Sequence, residues 1–183
     1  MSLARIRILS RFLVVAALAA LTAGCFQPMY AEHADGTPGL RDKLMGVELP
    51  PVEKPNSSRE ARLGVAIRNA LAFKLYGNAT GTAPTHRLVI KFTTSRYDLM
   101  TDPNTGLPTS ENSGIDAQYN LIDIATNKSV MTGTTFSHVS YDIPGSYQRF
   151  SRERALRDAE DRASQEIAEN IKTRLASYFF SGA

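Results

Sequence analysis

Cys25 is the only cysteine in the chain, and it follows Leu21-Thr22-Ala23-Gly24. A nucleophilic thiol behind small side chains suits two linked steps: alkylation at sulfur and cleavage of the Gly24–Cys25 peptide bond. No internal disulfide is possible with one thiol, and a lone free thiol would be a liability in an oxidising compartment. Other catalytic constellations are absent from the sequence. There is no G-x-S-x-G, H-E-x-x-H, G-x-x-x-x-G-K-[ST] or C-x-x-C. His33, His86 and His138 lack metal-ligand spacing. Ser137 and His138 are neighbours on an expected strand, so they point to opposite faces and cannot form a nucleophile–base pair. Asp102-Pro103-Asn104-Thr105-Gly106 imitates the start of a calcium loop, but no bidentate glutamate follows at the required place. These residues point away from catalysis and provide neither a metal nor a cofactor site.

The residues before Cys25 explain what its thiol is for. Arg5, Arg7 and Arg11 precede Phe12–Leu21, an unbroken apolar run. A basic start, a short apolar stretch and small residues before a cleavage point have the layout of a secretory signal. Ten helical residues reach only about 15 Å, half of a hydrocarbon core of about 30 Å, so this is not a membrane-spanning helix. Leu21–Cys25 resembles a bacterial lipobox, in which the cysteine receives a lipid and becomes the mature N-terminus. The expected organisation is a signal over residues 1–24, a flexible tether over 25–39 and one domain over 40–183. The tether is rich in turn formers from Gln27 to Gly39.

Removing the signal also removes the apparent basicity. The formal charge of +3 rests on Arg5, Arg7 and Arg11, and the rest of the chain holds 18 basic and 18 acidic residues. Nucleic-acid binding calls for a basic domain, so that partner class is excluded. The basic residues of the expected sheet carry a different signal. Arg87 and Lys91 are at i and i+4 of one strand, on one face and about 13 Å apart. Arg96 lies just beyond them, and Lys128 is at a hairpin tip. Such cations are candidates for binding anionic groups such as phosphorylated sugars.

The elements that must position these residues follow from periodicity. Lys43–Leu49 is an expected first strand, ended by Pro50-Pro51. Ser57-x-x-Glu60 has the form of a capping box. Leu63, Ile67, Ala70, Leu71 and Leu75 then mark the apolar face of a helix over 58–76, stopped at Gly77-Asn78. Leu88, Ile90 and Phe92 alternate with Arg87, Val89 and Lys91, the pattern of a strand with one buried face. Thr101–Gly114 reads as a fourteen-residue polar loop. Asp116–Ile124 and Ser129–Tyr141 form a hairpin. Ser151 is expected to cap a long helix to about Phe180, with Leu156, Ala159, Ala163, Ile167, Ile171, Leu175 and Tyr178 as its stripe. The simplest arrangement that buries both stripes is an α+β two-layer sandwich, with two helices on one face of a mostly antiparallel four-stranded sheet.

Several stretches together resemble one family. Gly24-Cys25-Phe26-Gln27-Pro28-Met29-Tyr30-Ala31 is similar to the mature start of lipopolysaccharide-assembly lipoproteins of the LptE type, in particular their alphaproteobacterial branch. Arg59–Leu71 is similar to their first helix. Ser140-Tyr141-Asp142 with Ala155–Phe179 is similar to their closing segment. The resemblance implies a fold of two helices on a four-stranded sheet. It also implies a lipid anchor in the inner leaflet of the outer membrane, on the periplasmic face. The implied partners are lipopolysaccharide and the LptD-type β-barrel translocon whose lumen such proteins plug. Phe26 after the cysteine, where an aspartate would signal retention, fits sorting to the outer membrane. Arg87, Lys91, Arg96 and Lys128 remain candidates from chemistry alone. From the residues, an auxiliary lipoprotein of another envelope lipid or small-molecule transport system stays open. A cell-wall hydrolase would need a polar catalytic cluster that the sequence does not display.

Overall fold

In a computed structural model of the chain, residues 38–77, 83–143 and 149–181 are described. The expected signal, Cys25 and nearly all of the expected tether lie outside them. The compact unit Leu40–Ala183 runs α1 (Leu40–Met45), β1 (Val47–Glu48), α2 (Arg59–Tyr76), β2 (His86–Thr101), β3 (Pro108–Asp123), β4 (Lys128–Asp142) and α3 (Arg149–Ser181). The sheet order is β1-β2-β3-β4. β1 runs parallel to β2, joined through α2 as a parallel pair requires, and the other pairs are antiparallel. The result is the expected α+β architecture, with the helices on one face of a sheet whose other face is open.

Alternation dictates which face is covered. Leu88, Ile90 and Phe92 of β2 and Ile115, Ala117, Tyr119 and Leu121 of β3 are buried, and they meet the expected stripes of α2 and α3 in one continuous core. Tyr178 alone of the α3 stripe is only partly buried. Each large apolar side chain buried there contributes about 2 kcal/mol. The ring of Tyr119 lies over Gly133, its partner in β4, where a Cβ would collide with it. That glycine gives the ring its place.

Several local expectations need correction. Lys43–Leu49 is strand only in part: Lys43–Met45 close α1, whose Leu40 and Leu44, four apart, bury one face, and only Val47-Glu48 pairs with β2. Pro50-Pro51 has no N–H to extend that ladder. The cap of α2 is Ser58, whose Oγ accepts from the Ala61 N–H at 2.9 Å, while Ser57 takes a left-handed φ of 63°. Gly77 does stop the helix, its N–H bonding the Phe73 carbonyl at 2.8 Å. The expected polar loop 101–114 shrinks to residues 102–107, because Pro108–Gly114 is strand. There Ser110, Glu111, Asn112 and Ser113 are buried, and polar side chains on a buried strand erase the alternation that marks strands in a sequence. α3 begins at Arg149, so Ser151 lies inside it.

The two long helices are locked by a charge with no exposed surface. Glu160 sits on the α3 stripe, and its carboxylate accepts from Arg59 Nε and Arg62 Nη2 of α2. Lys74 reaches Glu169 at 2.8 Å further along the same pair. Removing one partner of a buried pair costs more than the pair's net worth, because an uncompensated charge is left behind. Arg59→Ala/Arg62→Ala, which strands the buried carboxylate, should therefore lower unfolding stability by about 3 kcal/mol in urea titration. Arg59→Ala should cost much less, because Arg62 still holds the carboxylate.

Candidate functional site

The open face is built by the outward residues of the three long strands. Arg87, Val89, Lys91, Thr93 and Ser95 come from β2; Ile122, Asn120, Gln118 and Asp116 lie beside them in β3. Thr132, Thr134, Phe136 and His138 complete the rows in β4. Two shallow depressions of about 610 and 480 Å³ lie side by side on it and share Lys91, Gln118 and Thr134. Amides, hydroxyls, the Lys91 ammonium, the Arg87 guanidinium, the Asp116 carboxylate and an aromatic ring (Phe136, 66% exposed) therefore meet on one surface. Such a surface can hydrogen-bond hydroxyl-rich groups and attract a single anion.

The four candidate cations do not form one patch. Arg87 and Lys91 share the open face as expected, but Arg87 Nε is engaged by Glu48 of β1 at 2.8 Å. Lys91 has no carboxylate partner among the described residues. Arg96 pairs with Ser113, and alternation along β2 puts it on the face that carries the helices. Lys128 stands opposite Asp123 at the mouth of the β3–β4 hairpin. Strand parity separates Arg96, and it separates Lys128 too, since Lys128 pairs with Asp123, one residue beyond the open-face Ile122 at the hairpin end. Of these four, Lys91 is left as the free cation at the centre of the open face.

Ser137 and His138 fall on opposite faces, as their adjacency requires. Ser137 is buried and donates to Glu166 Oε2 at 2.6 Å, while His138 is exposed and stands edge-on to Phe136. The Asp102–Gly106 turn is held by its own bonds: the Asn104 N–H donates to Asp102 Oδ1 at 2.8 Å. No group of potential metal ligands occurs among the described residues.

A second polar centre leaves no trace in the sequence pattern. Glu111 of β3, 2% exposed, accepts from the Tyr141 hydroxyl of β4 and from Arg152 Nη2 in the first turns of α3. It ties both strands to the start of the helix. Burial first, then the hydrogen bond to Glu111 and its negative charge, push the Tyr141 hydroxyl up to about 12. A glutamate inside a polar stretch carries no periodic signal, so only strand pairing could reveal this centre. Because Tyr141 stays neutral in the folded state to about pH 12, its contribution is intact below the ordinary tyrosine value of 10.0. It is lost as pH rises from about 10 through about 12, since only the unfolded chain ionises there. Denaturation midpoints of the wild type should fall across that window, and Tyr141→Phe, weaker at neutral pH, should show a flatter profile.

Comparison with known proteins places this geometry. No curated protein matches the chain in sequence. Among solved structures, a lipoprotein from Caulobacter crescentus is similar at a TM-score of 0.60 and 20% identity, covering 79% of this chain and 97% of its own. Rare lipoprotein B from Shewanella oneidensis is similar at 0.52 and 13% identity, covering 74% and 96%. At those identities the likeness is one of fold. The family model described as LptE, lipopolysaccharide-assembly, matches residues 44–175, a range that holds α2, the three long strands and most of α3. By that match the chain belongs to the LptE lipopolysaccharide-assembly family, whose work is assembly and not catalysis.

Proposed function

We propose that this protein is an outer-membrane lipoprotein, anchored through lipid on Cys25, that forms a complex with the β-barrel translocon of lipopolysaccharide and assists its delivery to the cell surface. The family match over residues 44–175 is the observation that carries this reading. The lipobox-like Leu21–Cys25, the neutral charge of the chain after the signal and a sheet with one polar open face support it. A polar face suits a protein seated in a wetted lumen. Among the described residues no helix is long and apolar enough to cross a membrane.

Within this reading the open face meets the phosphorylated, hydroxyl-rich part of lipopolysaccharide. Lys91 supplies the charge, and Gln118, Asn120, Thr132 and Thr134 supply hydrogen bonds. Arg87 is already paired to Glu48, and Arg96 and Lys128 lie away from the centre of the face, so they contribute less.

Detergent extraction of a tagged full-length chain should recover a β-barrel of translocon size, and depletion should lower surface lipopolysaccharide. Recovering no barrel, with normal surface lipopolysaccharide after depletion, would sink the proposal. Lys91→Glu should weaken binding of purified lipopolysaccharide about five-fold, in line with about 1 kcal/mol for an exposed charge. Lys128→Glu should leave it nearly unchanged.

A further inference from the structure

We infer that the tip of the β2–β3 hairpin is a preformed docking finger for a protein surface, and that its occupant is an apolar recess on the barrel partner; this rests on the function proposed above. Four of the ten exposed large hydrophobic side chains among the described residues lie between positions 97 and 107. They are Tyr97 (48% exposed), Leu99 (46%), Met100 (65%) and Leu107 (46%). Clustered exposure of this kind marks an interaction site, whereas scattered apolar residues do not.

The backbone is shaped to present them. The ladder shifts register between Asp98 and Met100, so Tyr97 pairs with Asn112 and Met100 with Ser110. Asn112 and Ser110 are two apart on β3 and share a face, so Tyr97 and Met100, three apart, share it too. The bulge re-aims Met100 onto the face of Tyr97, as bulges beside functional sites do. The turn beyond is held by its own bonds: Asp102 N–H to the Leu107 carbonyl at 2.9 Å, Gly106 N–H to the Asp102 carbonyl at 2.8 Å, and the Thr109 hydroxyl to the Met100 carbonyl at 3.3 Å. A tip ordered before contact loses little entropy on binding.

Position and charge select the occupant. β4 ends at Asp142 opposite Ser110, so the tip projects past the neighbouring strand. The chain enters the unit at α1, which is tied to the far end of α3 by Lys43 Nζ on the Phe179 carbonyl at 3.2 Å, next to the start of β2. From His86 to Met100 an extended strand covers about 46 Å. The tip therefore lies at the end of the sheet away from α1. Between Tyr97 and Thr109 there are two acids, Asp98 and Asp102, and no base. An anionic lipid surface repels such a tip, whereas an apolar recess rimmed by basic groups accepts it.

The test uses the full lipidated chain, extracted from membranes with its barrel. Met100→Asp/Leu107→Asp should lower barrel recovery at least tenfold with an unchanged thermal midpoint, because both side chains are exposed, and Met100→Leu should retain it. Equal recovery by wild type and the double variant overturns the finger and leaves the proposed function standing. No recovery by the wild type overturns both. If the double variant melts early, a photo-crosslinking phenylalanine analogue at Met100 decides: a cross-link to the barrel supports the finger, and its absence overturns it. The chain without its lipid should not bind phosphatidylcholine/phosphatidylglycerol vesicles, and binding that Met100→Asp abolishes would make the occupant a bilayer and overturn the assignment.

Discussion

The buried carboxylate of Glu160 is the constraint on which the two-layer arrangement turns. A lone charge in an apolar interior costs several kcal/mol, and it is tolerated only where hydrogen-bonding countercharges arrive with the right geometry. Arg59 and Arg62 meet it from the first turns of α2, one turn apart on one helix face. Any sliding or rotation of α2 against α3 would strand the charge. The apolar stripes would tolerate several such registers, so the clamp selects one among packings of similar burial. Further along the same pair, Lys74 on Glu169 reinforces it with an exposed and weaker contact.

With that register set, α3 becomes the element to which the sheet is fastened. Ser137 on Glu166 and the Glu111–Tyr141–Arg152 centre connect it to β3 and β4 at two heights. Both helices are thereby committed to one face. The opposite face keeps its amides, hydroxyls and Lys91 in solvent, and the long hairpin runs on past the helices to the Tyr97–Leu107 tip. Assembly work with no chemistry to perform asks for surfaces of this kind: a rigid support, a polar face and an apolar projection. The edge of β2 beyond β1 is also managed, since Lys54 Nζ caps the Phe92 carbonyl at 2.8 Å and lies over the Phe92 ring. An edge covered this way is a poor template for unwanted strand pairing.

Legibility followed the strength of the periodic signal. The α2 and α3 stripes and the Leu88–Phe92 alternation stood out, because a half-buried element must repeat its apolar residues every 3.6 or two positions. Pro108–Gly114 did not, because its buried side chains are polar and find partners from other strands and from α3. α1 was hidden for a different reason: six residues carry too little pattern to separate a helix turn from a strand. The Ser58 cap was misplaced by one residue because adjacent serines are chemically equal, and only the left-handed φ of Ser57 distinguishes them.

For the candidate site the division is sharper. Composition and local spacing were enough for the apolar run ahead of a single thiol, for the balance of charge in the chain after Arg11, for the two helical stripes and for the family resemblance. They also placed Arg87 and Lys91 on one face, since that needs only the period of a strand. Folding in three dimensions was required to show that Glu48 neutralises Arg87, that Arg96 lies across the sheet, that Glu160 is a clamp and that a bulge turns Met100 toward Tyr97. Each of those depends on register or on pairing between residues distant in the chain, which local sequence patterns do not encode.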